Sequence, residues 1–248
     1  MTNLSKYIDA TFLKTTANSD LSAKEVEKEV LSLIEESILE KYKLVMIPLE
    51  YVSTARKQIS ASVSKVLVGT VIDFPDGDGG MEKKRVEATK AIEDGADELD
   101  FVIDYKAFLR GETKKVKEEV VDLSEMVLEQ GKTIKWIIET AALNVQQIVQ
   151  LTALIKNCIV SNFEEDVYQR VFVKSSTGFY KTADGVPNGA TIASVVLMLE
   201  NATPLQVKAS GGIKNYEDAL KMIALGVKRI GTSSQKAILN QKIAENDY

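Results

Sequence analysis

Short apolar runs alternate with amphipathic stretches along the whole chain, eight times over. The apolar runs occupy 7–13, 44–48, 66–74, 98–104, 134–140, 171–176, 205–210 and 229–232. Stretches of helical period follow them at 23–40, 51–60, 82–94, 114–130, 145–159, 189–200, 216–224 and 234–244. Asn144 before Val145-Gln146-Gln147 and Asn215 before Tyr216-Glu217-Asp218 are helix start signals. Gly95 and Gly226 each close a helical stretch and lead into an apolar run. Regular strand–helix alternation implies a parallel sheet with right-handed crossovers. Eight units in 248 residues match one closed (β/α)8 barrel, for which ~250 residues is typical. A doubly wound sheet is the alternative, but its early Gly-x-Gly-x-x-Gly turn is missing. With no linker or low-complexity segment, the expectation is a single α/β domain, a TIM barrel over 1–248.

Composition removes several kinds of chemistry. The chain has no histidine, so His-based triads and His-ligated metal sites are excluded. Acid–base work falls to Asp, Glu, Lys, Tyr or water. A net charge of −5 offers no case for nucleic acid as a partner. No apolar run reaches the ~18 residues that a membrane span needs, and the first residues lack a signal-peptide pattern. The single cysteine, Cys158, falls on the apolar face of a helical stretch, where a structural thiol is expected. One cysteine cannot form an intrachain disulfide and suits a reducing cytoplasm, so we expect a cytoplasmic protein.

The period of two within the apolar runs sorts their faces. In Glu98-Leu99-Asp100-Phe101-Val102-Ile103-Asp104, the aliphatic set Leu99, Phe101 and Ile103 should meet the helices. Asp100, Val102 and Asp104 then face the lumen. The same parity turns Phe172, Lys174 and Ser176 inward, with Val171 and Val173 behind. It also turns Gln206, Lys208 and Ser210 inward and pairs Lys135 with Glu139 on one face. Four strands therefore aim ionisable groups into one lumen, toward the C-terminal strand ends where barrel active sites lie. A buried ammonium next to a second ammonium tends to lose its proton. A lysine neutral near pH 7 is a nucleophile toward carbonyls and can form a Schiff base. The competing reading of each lysine is a strand-end residue that reaches out to water; two of them, each followed by a Ser/Gly-rich loop, favour the chemical one.

Two loops suggest an anion. Ser210-Gly211-Gly212 follows the seventh run, and Gly231-Thr232-Ser233-Ser234 follows the eighth. Barrels often bind phosphate with backbone N–H groups at these two places. Gly77-Asp78-Gly79-Gly80 lacks the Gly-Lys-Ser/Thr ending of a nucleotide-binding loop and reads as a plain loop.

At these residues the chain resembles the deoxyribose-phosphate aldolase family. The similarity is carried, in family order, by Ile8-Asp9-Ala10-Thr11-Phe12-Leu13-Lys14, Asp94-Gly95-Ala96-Asp97-Glu98-Leu99-Asp100 and Lys135-Trp136-Ile137-Ile138-Glu139-Thr140. It continues through Val173-Lys174-Ser175-Ser176-Thr177-Gly178-Phe179, Val207-Lys208-Ala209-Ser210-Gly211-Gly212-Ile213 and Gly231-Thr232-Ser233-Ser234. The resemblance implies Lys174 as the Schiff-base lysine, Lys208 as the neighbour that lowers its pKa, and Asp100 as the proton shuttle. It implies that Asp9, Thr11, Lys135 and Thr177 line the substrate site, and that Gly178, Gly211, Gly212, Gly231, Ser233 and Ser234 hold a phosphate. The implied reaction cleaves 2-deoxy-D-ribose 5-phosphate to D-glyceraldehyde 3-phosphate and acetaldehyde, reversibly and without a cofactor or metal. A homo-oligomer, dimer or tetramer, is the implied assembly. The chain departs from many members at Ala10, at 44–48 and at 105–108. Tyr248 is assigned no part in the site. The alternatives are another Schiff-base lyase or a transaldolase-like enzyme, and a barrel that binds a sugar phosphate without turning it over.

Overall fold

The computed structural model describes residues 3–241; Tyr248 lies outside them. Eight parallel strands form a closed barrel, each paired with its chain neighbours and β1 with β8. The strands are β1 (Ile8–Thr11), β2 (Leu44–Met46), β3 (Leu67–Ile72), β4 (Glu98–Val102), β5 (Thr133–Ile137), β6 (Val171–Lys174), β7 (Gln206–Ser210) and β8 (Arg229–Thr232). All eight expected runs are present; β8 keeps its expected bounds, β5 starts one residue early and stops at Ile137, and the other six are trimmed at one or both ends. Around them stand α1 (Ala23–Glu40), α2 (Val52–Ala61), α3 (Met81–Glu93), α4 (Tyr105–Leu109), α5 (Thr113–Glu129), α6 (Val145–Asn162), α7 (Ile192–Ala202), α8 (Tyr216–Leu225) and α9 (Gln235–Leu239).

The helix ends follow local chemistry. Asn144 accepts from the Gln147 N–H while the Gln147 side chain accepts from the Asn144 N–H, which closes a capping box on α6. Asn215 caps α8, and Gly226 ends it at φ 116°. α4 is a finding that the apolar pattern hid. Asp104 has the lumen parity of Asp100, but β4 stops at Val102. Asp104 instead accepts from the Ala107 N–H at 2.8 Å, starting α4, and pairs with Lys115. The last helix ends at Leu239, earlier than its sequence pattern suggests.

The barrel has two interiors. Between strands and helices lies the main apolar core, where Phe101 and Trp136 pack with ring centroids 5.3 Å apart and the Trp136 indole donates to Ser124. Inside the barrel, the β1–β3 side is filled by Leu13, Leu44 and Met46, with Leu67, Val71, Phe74 and Phe179 against them. The opposite side, lined by β4 to β8 and by Asp9 of β1, is charged. One half of the lumen is thus a packed apolar plug, and the other carries the ionisable groups.

Candidate active site

The parity argument puts Asp100, Lys135, Lys174 and Lys208 in the lumen, and there they meet. Register aligns Asp100 with Lys135 across β4 and β5, and Lys174 with Lys208 across β6 and β7. Asp100 Oδ2 accepts from Lys174 Nζ at 2.9 Å and from Lys208 Nζ at 2.8 Å, and Lys135 Nζ lies 2.6 Å from Oδ1. Three ammonium groups therefore share one carboxylate. Lys208 also lies 2.6 Å from Asp9, and Lys135 lies 2.7 Å from Glu98. Beneath them the Arg229 guanidinium bridges Asp9 and Glu98. The Phe172 ring fills the space between Lys135 and Arg229.

Every member of this network is buried. Four cations face three carboxylates, so one proton too many is held in a low-dielectric space. Lys174 is the natural one to release it. Lys135 and Lys208 each touch two carboxylates and Arg229 bridges two, whereas among the described residues Lys174 pairs only with Asp100, already shared. Burial lowers the Lys174 pKa, Asp100 opposes that, and the Lys208 charge lowers it further, to about 8. Burial raises the Asp100 pKa, but the three ammonium charges outweigh it and hold the carboxyl well below its usual range. Burial likewise disfavours the charge on Lys135, and there Asp100 and Glu98 outweigh it, so Lys135 is held more firmly protonated than usual.

Above this network opens a cavity of about 750 Å³. Thr11, Lys174, Thr177, Gly178, Gly211, Gly212, Gly231, Ser233 and Ser234, nine of the thirteen residues expected in the site, line it. Lys174 forms part of its floor. Asp9, Asp100, Lys135 and Lys208 are not among the residues that line it; Lys135 in particular is fully enclosed. Gly178, Gly211 and Gly212 all have positive φ. Gly211 needs its hydrogen: a Cβ there would sit 2.8 Å from the Gly189 Cα, where the loop after β6 crosses the loop after β7. In the loop after β8 the Ser234 N–H is taken by the Thr232 hydroxyl at 2.9 Å.

Sequence reasoning missed Glu98 and Arg229. Glu98 has the parity of Asp100, two residues earlier on the same strand, so its signal was present. Arg229 offered only its alternation with Gly231. Glu139, expected on the face of Lys135, lies past the end of β5, buried against Thr177. Burial raises its pKa, against the lowering effect of the Thr177 hydrogen bonds and the Lys174 charge. Among the described residues, no group of three or more His, Cys, Asp or Glu side chains could hold a metal ion, and no helix is long and apolar enough to cross a membrane.

An amine with a pKa near 8, set in the floor of a cavity large enough for a sugar phosphate, equips a barrel for Schiff-base chemistry on a carbonyl substrate. No protein-family model matches the chain. Comparison with individual proteins narrows the class to aldolases. The chain is 35% identical over 240 residues to the deoxyribose-phosphate aldolase of Caldicellulosiruptor saccharolyticus, covering 96% of this chain and 97% of that one. It is 36% identical over 233 residues to the corresponding protein of Thermococcus gammatolerans, covering 94% and 93%. Among solved structures it matches the tetrameric deoxyribose phosphate aldolase of Aeropyrum pernix with a TM-score of 0.77 at 27% identity, covering 96% of this chain and 89% of that one. The chain belongs to the deoxyribose-phosphate aldolase family.

Proposed function

We propose that this enzyme cleaves 2-deoxy-D-ribose 5-phosphate to D-glyceraldehyde 3-phosphate and acetaldehyde, reversibly, through an imine on Lys174. The observation that carries the reading is Lys174 at the cavity floor, sharing one oxygen of Asp100 with Lys208. The neutral amine attacks the C1 aldehyde of the open-chain sugar. Loss of water from the carbinolamine gives the imine. The C3 hydroxyl then gives up its proton, the C2–C3 bond breaks, and its electron pair moves into the imine to form an enamine. Protonation at C2 and hydrolysis release acetaldehyde and regenerate the amine.

Asp100, working through water, suits the proton transfers. A neutral Lys174 leaves it two ammonium partners instead of three, which raises its affinity for a proton. Lys208 keeps Lys174 from recapturing a proton, and Lys135 and Asp9 hold the pair in register from below. Thr11 and Thr177 offer hydroxyls to the sugar. Gly178, Gly211, Gly212, Gly231, Ser233 and Ser234 all line the cavity, and their loop N–H and hydroxyl groups suit a phosphate. We further infer a cytoplasmic homo-oligomer, dimer or tetramer. The tetrameric relative supports the assembly, and the lone buried cysteine suits a reducing compartment.

Supplying 2-deoxyribose 5-phosphate and following acetaldehyde with a coupled dehydrogenase tests the reaction. Steady acetaldehyde release is expected without any acceptor. Turnover that requires an added acceptor aldehyde would indicate a transaldolase-like enzyme, and binding without turnover a silent barrel.

A further inference from the structure

Glu139 stands one shell away from the cavity and takes no part in the chemistry above. It is 1% exposed, and no lysine or arginine forms an ion pair with it among the described residues. Its backbone sits at φ 54°, ψ 70°, a conformation that side-chain-bearing residues rarely adopt. The turn aims the carboxylate at the loop after β6. There Oε2 accepts from the Thr177 N–H at 3.2 Å and from the Thr177 hydroxyl. Thr140 strengthens the junction: its N–H donates to the Ser175 carbonyl at 2.9 Å, and its hydroxyl shares a hydrogen bond with that of Ser176. A buried charge-bearing group without a counter-ion is costly unless its hydrogen bonds are needed. Two of its hydrogen bonds, both to Oε2, come from Thr177, which lines the cavity next to Gly178 and shares it with Lys174.

The consequence is a fixed hydrogen-bond polarity. A threonine hydroxyl has one proton and two lone pairs. The proton of Thr177 is committed to Glu139. One lone pair accepts from the Phe179 N–H at 3.0 Å. What remains is an acceptor, with no proton to offer. In chain order Thr177 lies between the imine lysine and the phosphate glycine. The only substrate hydroxyl between the reacting carbons and the phosphate that does not itself react is the one on C4. We propose that Glu139 is a positioning residue that fixes Thr177 as an acceptor for this C4 hydroxyl, and so makes the site selective for an acceptor aldehyde carrying a 2-hydroxyl. This rests on the function proposed above.

The test runs the reaction in the direction of synthesis, with acetaldehyde as donor and either glyceraldehyde 3-phosphate or its 2-deoxy analogue, 3-phosphooxypropanal, as acceptor. The native enzyme should prefer the hydroxylated acceptor. Glu139→Gln presents an amide whose N–H₂ can donate to Thr177 and free its proton, so the preference in kcat/KM should fall by roughly tenfold, the worth of one such hydrogen bond. Thr177→Val should lose the same preference, Thr177→Ser should keep it, and adding Glu139→Gln to Thr177→Val should change it no further. Equal losses on both acceptors, or additive losses in the double variant, would overturn the proposal. If Glu139→Gln does not fold, the Thr177 pair still decides: a preference unaltered in Thr177→Val removes the basis of the inference. A native enzyme that makes no carbon–carbon bond with either acceptor would instead refute the proposed function.

Discussion

Replacing Lys208 by Leu should move the pH dependence of the enzyme. Lys174 and Lys208 donate to the same oxygen of Asp100, at 2.9 and 2.8 Å, so their nitrogens are less than about 6 Å apart. At ~5 Å and an effective dielectric of ~20, two unit charges repel by about 3 kcal/mol, or roughly two pKa units. Removing Lys208 also leaves Asp100 with fewer competing partners, so it holds the Lys174 proton more firmly. Both effects raise the Lys174 pKa from its value of about 8. The Leu side chain adds apolar surroundings and pulls the other way, but Lys174 is already enclosed by the barrel wall, so the charge effect should dominate. The neutral fraction at pH 7 should fall by about 10- to 100-fold for a rise of one to two units. The assay is kcat/KM between pH 6 and 10. The rise near pH 8 in the native enzyme should move up by a unit or more, and activity should partly recover at high pH. Lys208→Arg should retain part of the effect, because its charge survives while its geometry changes. A loss of the same size at every pH would refute the reasoning and mean that Lys208 acts by touching the substrate.

Other expectations follow from the same site. Ser234→Asp should raise KM for 2-deoxyribose 5-phosphate far more than for unphosphorylated deoxyribose, because a carboxylate in the loops that line the cavity repels phosphate; equal effects on both substrates would place the phosphate elsewhere. Activity should survive exhaustive dialysis against a chelator, since the imine itself takes up the electron pair of the broken bond; activity lost and then restored by a divalent ion would contradict this. Asp9 and Asp100 have native pKa values below 3.8, so their contribution to stability is present above that pH and lost as pH falls through the native values. The urea midpoint should therefore drop steeply below about pH 4, and a midpoint unchanged down to pH 3 would argue against the ion network.

Much of this architecture is written in short-range patterns. The parity of β4, β6 and β7 brings Asp100, Lys174 and Lys208 together because a strand alternates its faces whatever its neighbours do. The α6 and α8 starts were readable because a capping side chain bonds its own helix. What stayed hidden depends on distant partners or on where a strand stops. Asp104 has the right parity but falls after the end of β4, so it caps a helix and does not face the lumen. Arg229 joins Asp9 and Glu98 only because closing the barrel brings β8 against β1, at opposite ends of the chain. Lys135, expected to line the substrate site, pairs with both Asp100 and Glu98, a double pairing that no local pattern announces. Glu139 takes its φ of 54° where the segment after β5 meets the loop after β6, and no local pattern announces it.

The central claim is that Lys174 is the amine that forms the imine. Incubating the enzyme with acetaldehyde, reducing with borohydride and mapping the peptides tests it directly. One ethyl group should appear, on the nitrogen of Lys174, and its formation should track the titration near pH 8. An ethyl group on Lys208 instead, or no adduct under conditions where the enzyme turns over, would contradict the account.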